Sequence, residues 1–73
     1  MTKVRSDMVA NVWKVSVSPG QRVAEGDTLV ILESMKTEIP VLAPHDGTVA
    51  ELNVEDGGSV QEGDVIVVLE KPA

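Results

Sequence analysis

The sequence predicts an all-β domain, a flattened barrel or sandwich of about seven or eight short strands, assembled from two related halves. Three observations carry that expectation. Fourteen of the 73 residues are Val, with five Leu and three Ile, while Trp13 is the lone aromatic residue. β-Branched side chains are restricted at χ1 and pack best on a pleated surface. Short apolar runs alternate with turn-forming clusters, and no stretch keeps a period of 3.6 over ten residues. The third observation is an internal repeat at an offset of 37 residues: Val12 to Glu33 overlies Val49 to Glu70 with ten of 22 positions identical.

Taken in order, Val4 opens the first unit and is matched by Val41 in the second. Val12, Val15 and Val17 form a strand that stops at Pro19-Gly20, because Pro cannot donate to a ladder and Gly accepts positive φ. Val23 precedes a tight turn at Glu25-Gly26-Asp27. The continuous run Thr28 to Leu32 then reads as a strand covered on both faces. Ile39 to Leu42 is a further short strand, closed by Ala43-Pro44-His45-Asp46-Gly47. The second unit repeats the plan through Val49, Leu52 and Val54, the turn Asp56-Gly57-Gly58, Val60, the turn Glu62-Gly63-Asp64 and the run Val65 to Leu69. Each unit, about 4–33 and 41–70, is too short to close a core alone. Two are expected to complete one domain over 1–73, related by a pseudo-two-fold axis.

Composition removes several function classes. With no Cys there is no thiolate nucleophile, disulfide or thiolate metal site, and one His cannot build a catalytic or metal cluster. A domain of this size has little room for a deep pocket, so a free-standing enzyme is not expected. Twelve acidic against six basic residues give a net charge of −6, which disfavours nucleic acid and anionic membrane surfaces as partners. No apolar run approaches transmembrane length and the N-terminus lacks a signal-peptide core, so the expected location is cytoplasmic. Trp13 is expected to pack on a sheet face, and His45 to be a polar turn residue.

The repeat has one closed join, Ser34-Met35-Lys36-Thr37 between Glu33 and Glu38. Its pseudo-symmetric counterpart is the gap between the two chain ends, which predicts that Lys36 lies at the end of the domain away from both termini. Two-residue hairpin turns favour Asn-Gly or other Gly-containing pairs because both central residues take positive φ. Every other turn here contains Gly, but this one has Met35 and Lys36. Local turn chemistry that breaks the rule points to function. A Lys at an exposed tip offers a nucleophilic amine, once deprotonated, on a flexible stem.

These residues carry a resemblance. ESMKTEIPVLAPHDGTV, from Glu33 to Val49, resembles the biotinyl/lipoyl attachment domain, whose biotinylated lysine sits in E-A-M-K-M or E-S-M-K-M and is followed by A-P-x-x-G-x-V. The latter is matched by Ala43, Pro44, Gly47 and Val49. The likeness runs from about Val4 to Glu70, includes both E-G-D turns, and is similar to small free-standing bacterial attachment proteins. It implies two four-stranded sheets with the carrier lysine, mapped to Lys36, on a hairpin. It also implies hairpin and recognition roles for Glu33, Ser34, Met35 and Thr37. Two departures stand out: Thr37 replaces the second Met of the pattern, and Asp7 to Val12 lacks the Pro and Gly usual in the first-half loop.

The resemblance implies a non-catalytic carrier, biotinylated by a biotin protein ligase and serving biotin carboxylase and carboxyltransferase subunits. Lipoyl domains instead resemble D-K-A or D-K-V, so Met35 favours biotin, with lipoate on the same Lys36 as the alternative. An unmodified β interaction module is the remaining alternative. A monomer is expected in isolation.

Overall fold

The computed structural model describes residues 1–72. Eight strands follow one another: β1 (Thr2–Arg5), β2 (Ala10–Val15), β3 (Arg22–Val23), β4 (Thr28–Ser34), β5 (Thr37–Leu42), β6 (Gly47–Leu52), β7 (Ser59–Val60) and β8 (Val65–Glu70). They form two antiparallel four-stranded sheets, ordered β1-β8-β6-β3 and β5-β4-β2-β7. The molecule measures 39 × 18 × 17 Å.

The 37-residue offset holds in three dimensions. Adding 37 carries β2 onto β6 and β3 onto β7, and lays β1 over the last four residues of β5 and β4 over β8. It thereby carries one sheet order onto the other. The two units do not each make one sheet: every sheet takes two strands from each, so neither unit can close its own ladder. The connecting bonds follow the same symmetry. Ser6 N donates to Asp64 O as Ala43 N does to Asp27 O, and Gly20 N donates to Val49 O as Gly57 N does to Val12 O.

The turns explain why the E-G-D triplets recur. Gly26 and Gly63 sit at φ +88° and +89°, where a side chain is strained. The following carboxylate then accepts a bond from the chain three residues back, Ala24 N to Asp27 Oδ2 at 2.9 Å and Gln61 N to Asp64 Oδ2 at 2.8 Å. Both Asp side chains are thus part of turns, and among the described residues no group of acidic or His side chains is arranged to hold a metal.

Between the sheets lies an aliphatic core whose largest fully buried members are Leu29, Leu32, Ile66, Leu69, Val12, Val30, Val49, Val60 and Val67. Here the structure corrects one expectation. The apolar runs of β4 and β8 are continuous without both faces being covered by further layers. A β-bulge shifts the register between Thr28 and Val30, and another leaves Ile66 without a partner opposite Val4 and Arg5. A bulge places two consecutive residues on one face, so Leu29 with Val30, and Ile66 with Val67, all point inward. Ile31 then faces outward and is only half-buried. A second related pair of bulges occurs between Val12 and Lys14 and between Val49 and Glu51.

Other residues hold the ends together. His45 Nδ1 lies 2.6 Å from Asp46 O and so donates to it, which leaves Nε2 to accept from the Thr2 hydroxyl at 2.7 Å. His45 thereby fastens β1 to the loop before β6, in keeping with a turn residue. A Cβ on Gly47 would stand 2.5 Å from Glu70 O, so the approach of β6 to β8 needs Gly there.

Candidate functional site

The hairpin between β4 and β5 pairs Glu33 with Glu38 and Ser34 with Thr37, leaving Met35 and Lys36 as a two-residue turn. Their φ angles are +52° and +67°. Positive φ at both central residues is the type I′ geometry, whose twist matches that of the flanking strands. Every other positive φ among the described residues belongs to glycine, at Gly20, Gly26, Gly57 and Gly63. Two L-residues with large side chains therefore hold a conformation that costs each about 1–2 kcal/mol. The register leaves no choice: β4 and β5 pair from Thr28↔Leu42 to Ser34↔Thr37, and only a two-residue turn closes that ladder.

The tip projects both side chains. Met35 is 95 % exposed, and Lys36 is exposed. Among the described residues the side-chain hydrogen bonds involve neither Lys36, nor Glu33, nor Glu38. The Lys36 amine thus gives up no internal contact on meeting a reagent or an enzyme. Glu33 is half-buried on the strand and Glu38 is exposed directly across from it. Two like charges facing each other across a ladder are unfavourable. Ser34 and Thr37 are the last paired residues and frame the turn. The two-fold relates the paired residues Glu33 and Glu38 of this hairpin to Glu70 and Met1.

The site is a convex tip held on a stiff two-layer scaffold. A shallow hollow of about 490 Å³ does exist, between β3 and the start of β6, lined by Arg22, Asp27, Asp46 and Thr48. It contains none of the hairpin residues, and both Asp27 and Asp46 already accept backbone bonds. Chemistry at the hairpin must come from a group attached to it or from a partner that grasps it. Trp13, expected on a sheet face, does lie on one, but it is 51 % exposed on the outer side of the β5-β4-β2-β7 sheet. Pro40 and Leu42, read from the sequence only as part of a short strand, are exposed on β5 of the same sheet.

Comparison with known proteins agrees with this geometry. A family model described as "Biotin-requiring enzyme" matches residues 2–69. The chain is 53 % identical over 51 residues to the biotinylated protein TB7.3 homolog of Mycobacterium leprae, covering 70 % of this chain and 72 % of that one. It is 45 % identical over 49 residues to the biotin/lipoyl attachment protein of Bacillus subtilis, covering 67 % of each. Among solved structures it is similar to the urea carboxylase of Kluyveromyces lactis, with a TM-score of 0.87 and 32 % identity over 94 % of this chain but only 6 % of the carboxylase.

Proposed function

The chain belongs to the biotinyl/lipoyl attachment family, and from that membership we propose that it is a non-catalytic biotin carrier, loaded on Lys36 by a biotin protein ligase and used by a biotin-dependent carboxylase. The observation that carries the assignment to Lys36 is the strained, fully projecting Met35-Lys36 turn. A bland Asn-Gly would serve the fold better, and Lys36 is the residue in it that can accept an acyl group. The matched motif Glu33-Ser34-Met35-Lys36 and the names of the relatives, biotinylated proteins and a carboxylase, favour biotin over lipoate.

The residues present fit such a group. An amide would join the Lys36 Nζ to the biotin carboxyl carbon: ATP would activate the carboxylate with release of pyrophosphate, the carboxylate oxygen would leave with AMP, and the amine would give up two protons to solvent. Once bound, biotin supplies a ureido nitrogen that takes up and releases a carboxyl group. Lys36 contributes reach through its flexible stem. The two-residue turn contributes direction, because both its φ angles are set by the ladder beneath. Met35 presents an exposed apolar side chain beside the attachment point, while Ser34 and Thr37 hold the strands in register. A scaffold that orients the tether confines the carried group to a small volume and raises its effective concentration at a docked enzyme.

Intact-mass analysis tests the reading after incubation with a biotin protein ligase, biotin and ATP. The expected result is an increment of one biotin less one water, absent in Lys36→Arg, with the variant unfolding as cooperatively as the parent. No increment, or one that survives in Lys36→Arg, would overturn the assignment. A lipoyl increment on material from the native host would replace biotin by lipoate.

A further inference from the structure

The internal two-fold provides a control that most surfaces lack: each outward residue of one sheet has a counterpart on the same backbone position of the other. In the β1-β8-β6-β3 sheet, Val68 is shielded, only 5 % exposed, with Lys3 and Glu51 in register on either side. Its counterpart Ile31 lies between Pro40 and Lys14. Three further pairs carry the larger or more apolar residue on this second sheet, while Thr28, with Val65 as its counterpart, runs the other way. Pro40 stands where the other sheet has Lys3, Leu42 where it has Arg5, and Trp13 where it has Ala50. Trp13 is 51 % and Leu42 49 % exposed. The fold does not require this apolar surface, because its twin is built with Lys, Arg and Ala.

We propose that the outer face of the β5-β4-β2-β7 sheet, centred on Trp13, Ile31, Pro40 and Leu42, is the surface on which the biotin protein ligase docks to bring Lys36 into its active site. The proposal rests on the carrier reading above. Three observations select this occupant. Trp13, Pro40 and Leu42 all lie on the sheet whose strands β4 and β5 make the hairpin, so a partner seated there is in rigid register with the tip. Ile31 is three residues from Ser34, roughly 10 Å along the extended strand with the two-residue turn directly beyond, and so within a single protein footprint. The paired Glu33 and Glu38, unfavourable in the free chain and free of internal hydrogen bonds, stand between the apolar surface and the tip. They ask for cationic side chains at that border.

A ligase, more than a carboxylase, needs that rigid register. The carboxylase must reach the distal ring of a long, flexible tether, whereas the ligase must place the Nζ atom itself against an acyl donor. An error of one ångström there costs rate directly. The partner surface is accordingly an apolar patch rimmed by Lys or Arg on the side nearest the hairpin, with Met35, 95 % exposed, extending the apolar contact to the tip.

The test is steady-state biotinylation of the full chain by a purified bacterial ligase that labels the parent, with biotin and ATP saturating. Pro40→Lys with Leu42→Arg installs the residues already tolerated at the equivalent positions of the other sheet, so the fold should persist with an unchanged Tm. Trp13→Ala supplies an independent second variant. Charge placed in an apolar interface centre should raise KM for the chain about tenfold or more with kcat retained. Lys3→Ala with Arg5→Ala, on the other sheet, should leave kcat/KM within about twofold, as expected for a surface outside the interface. Parental kcat/KM in both Pro40→Lys/Leu42→Arg and Trp13→Ala would overturn the docking proposal alone, as would an equal loss from the Lys3/Arg5 variant. A parent chain that accepts no biotin would overturn the carrier reading and the docking proposal together.

Discussion

Replacing Met35-Lys36 by Asn-Gly should make the domain more stable while destroying its proposed function. Both residues occupy positive φ, +52° and +67°, and neither makes a side-chain hydrogen bond among the described residues that the change would remove. Relief of left-handed strain is worth about 1–2 kcal/mol per residue. Against it stands the entropy that Gly adds to the unfolded chain, roughly 0.5–1 kcal/mol, and Asn relieves only part of the strain at its position. The balance is about 1.5 kcal/mol in favour of the variant, which for a domain of this size raises Tm by roughly 6–12 °C. Thermal unfolding followed by circular dichroism reads this directly, with urea unfolding as a check that the midpoint moves and the m-value does not. An unchanged or lowered Tm would refute the reasoning. It would mean that the turn is not strained, or that Met35 contributes packing its exposure does not suggest. The variant also lacks the acceptor amine, so the stabilised protein should gain no biotin.

Three further expectations concern the scaffold. Gly63→Ala meets no atom within 4 Å, so its cost is conformational alone: about 1 kcal/mol net, a Tm lower by roughly 4–8 °C, and Gly26→Ala should match it if the two-fold is energetically real. Gly47→Ala drives a Cβ against the Glu70 carbonyl oxygen; backbone cannot yield as a side-chain end does, and the urea midpoint should fall by the equivalent of about 1–3 kcal/mol. Leu29→Ala empties a fully buried bulge position at a cost of about 2–5 kcal/mol, enough in so small a domain to abolish the cooperative transition; retention of a near-parental Tm would show that the neighbouring strands collapse into the space.

The amino-acid sequence by itself determined the all-β class, the repeat, the turn positions and the Gly-free join that presents Lys36. These are legible because they are local: β-branched runs, Gly at positive-φ turns, and one two-residue join that breaks the turn rule at Met35-Lys36. In the fold the 37-residue offset relates β2 to β6 and β3 to β7 to the residue, although β2 stops at Val15 and leaves Val17 outside the strand. Tertiary structure alone decided which strands share a sheet. Pairing is a choice among distant partners, and no periodicity states that each unit lends two strands to the other's sheet. It also decided which way residues face. A bulge at Leu29 or Ile66 reverses the alternation for the rest of its strand, so the apolar run that reads as doubly covered leaves Ile31 outward beside Pro40, Leu42 and Trp13. Comparing the unlike positions of the repeat would have hinted at that surface, but only the register of β4 against β2 and β5 assembles it into one face running to Lys36.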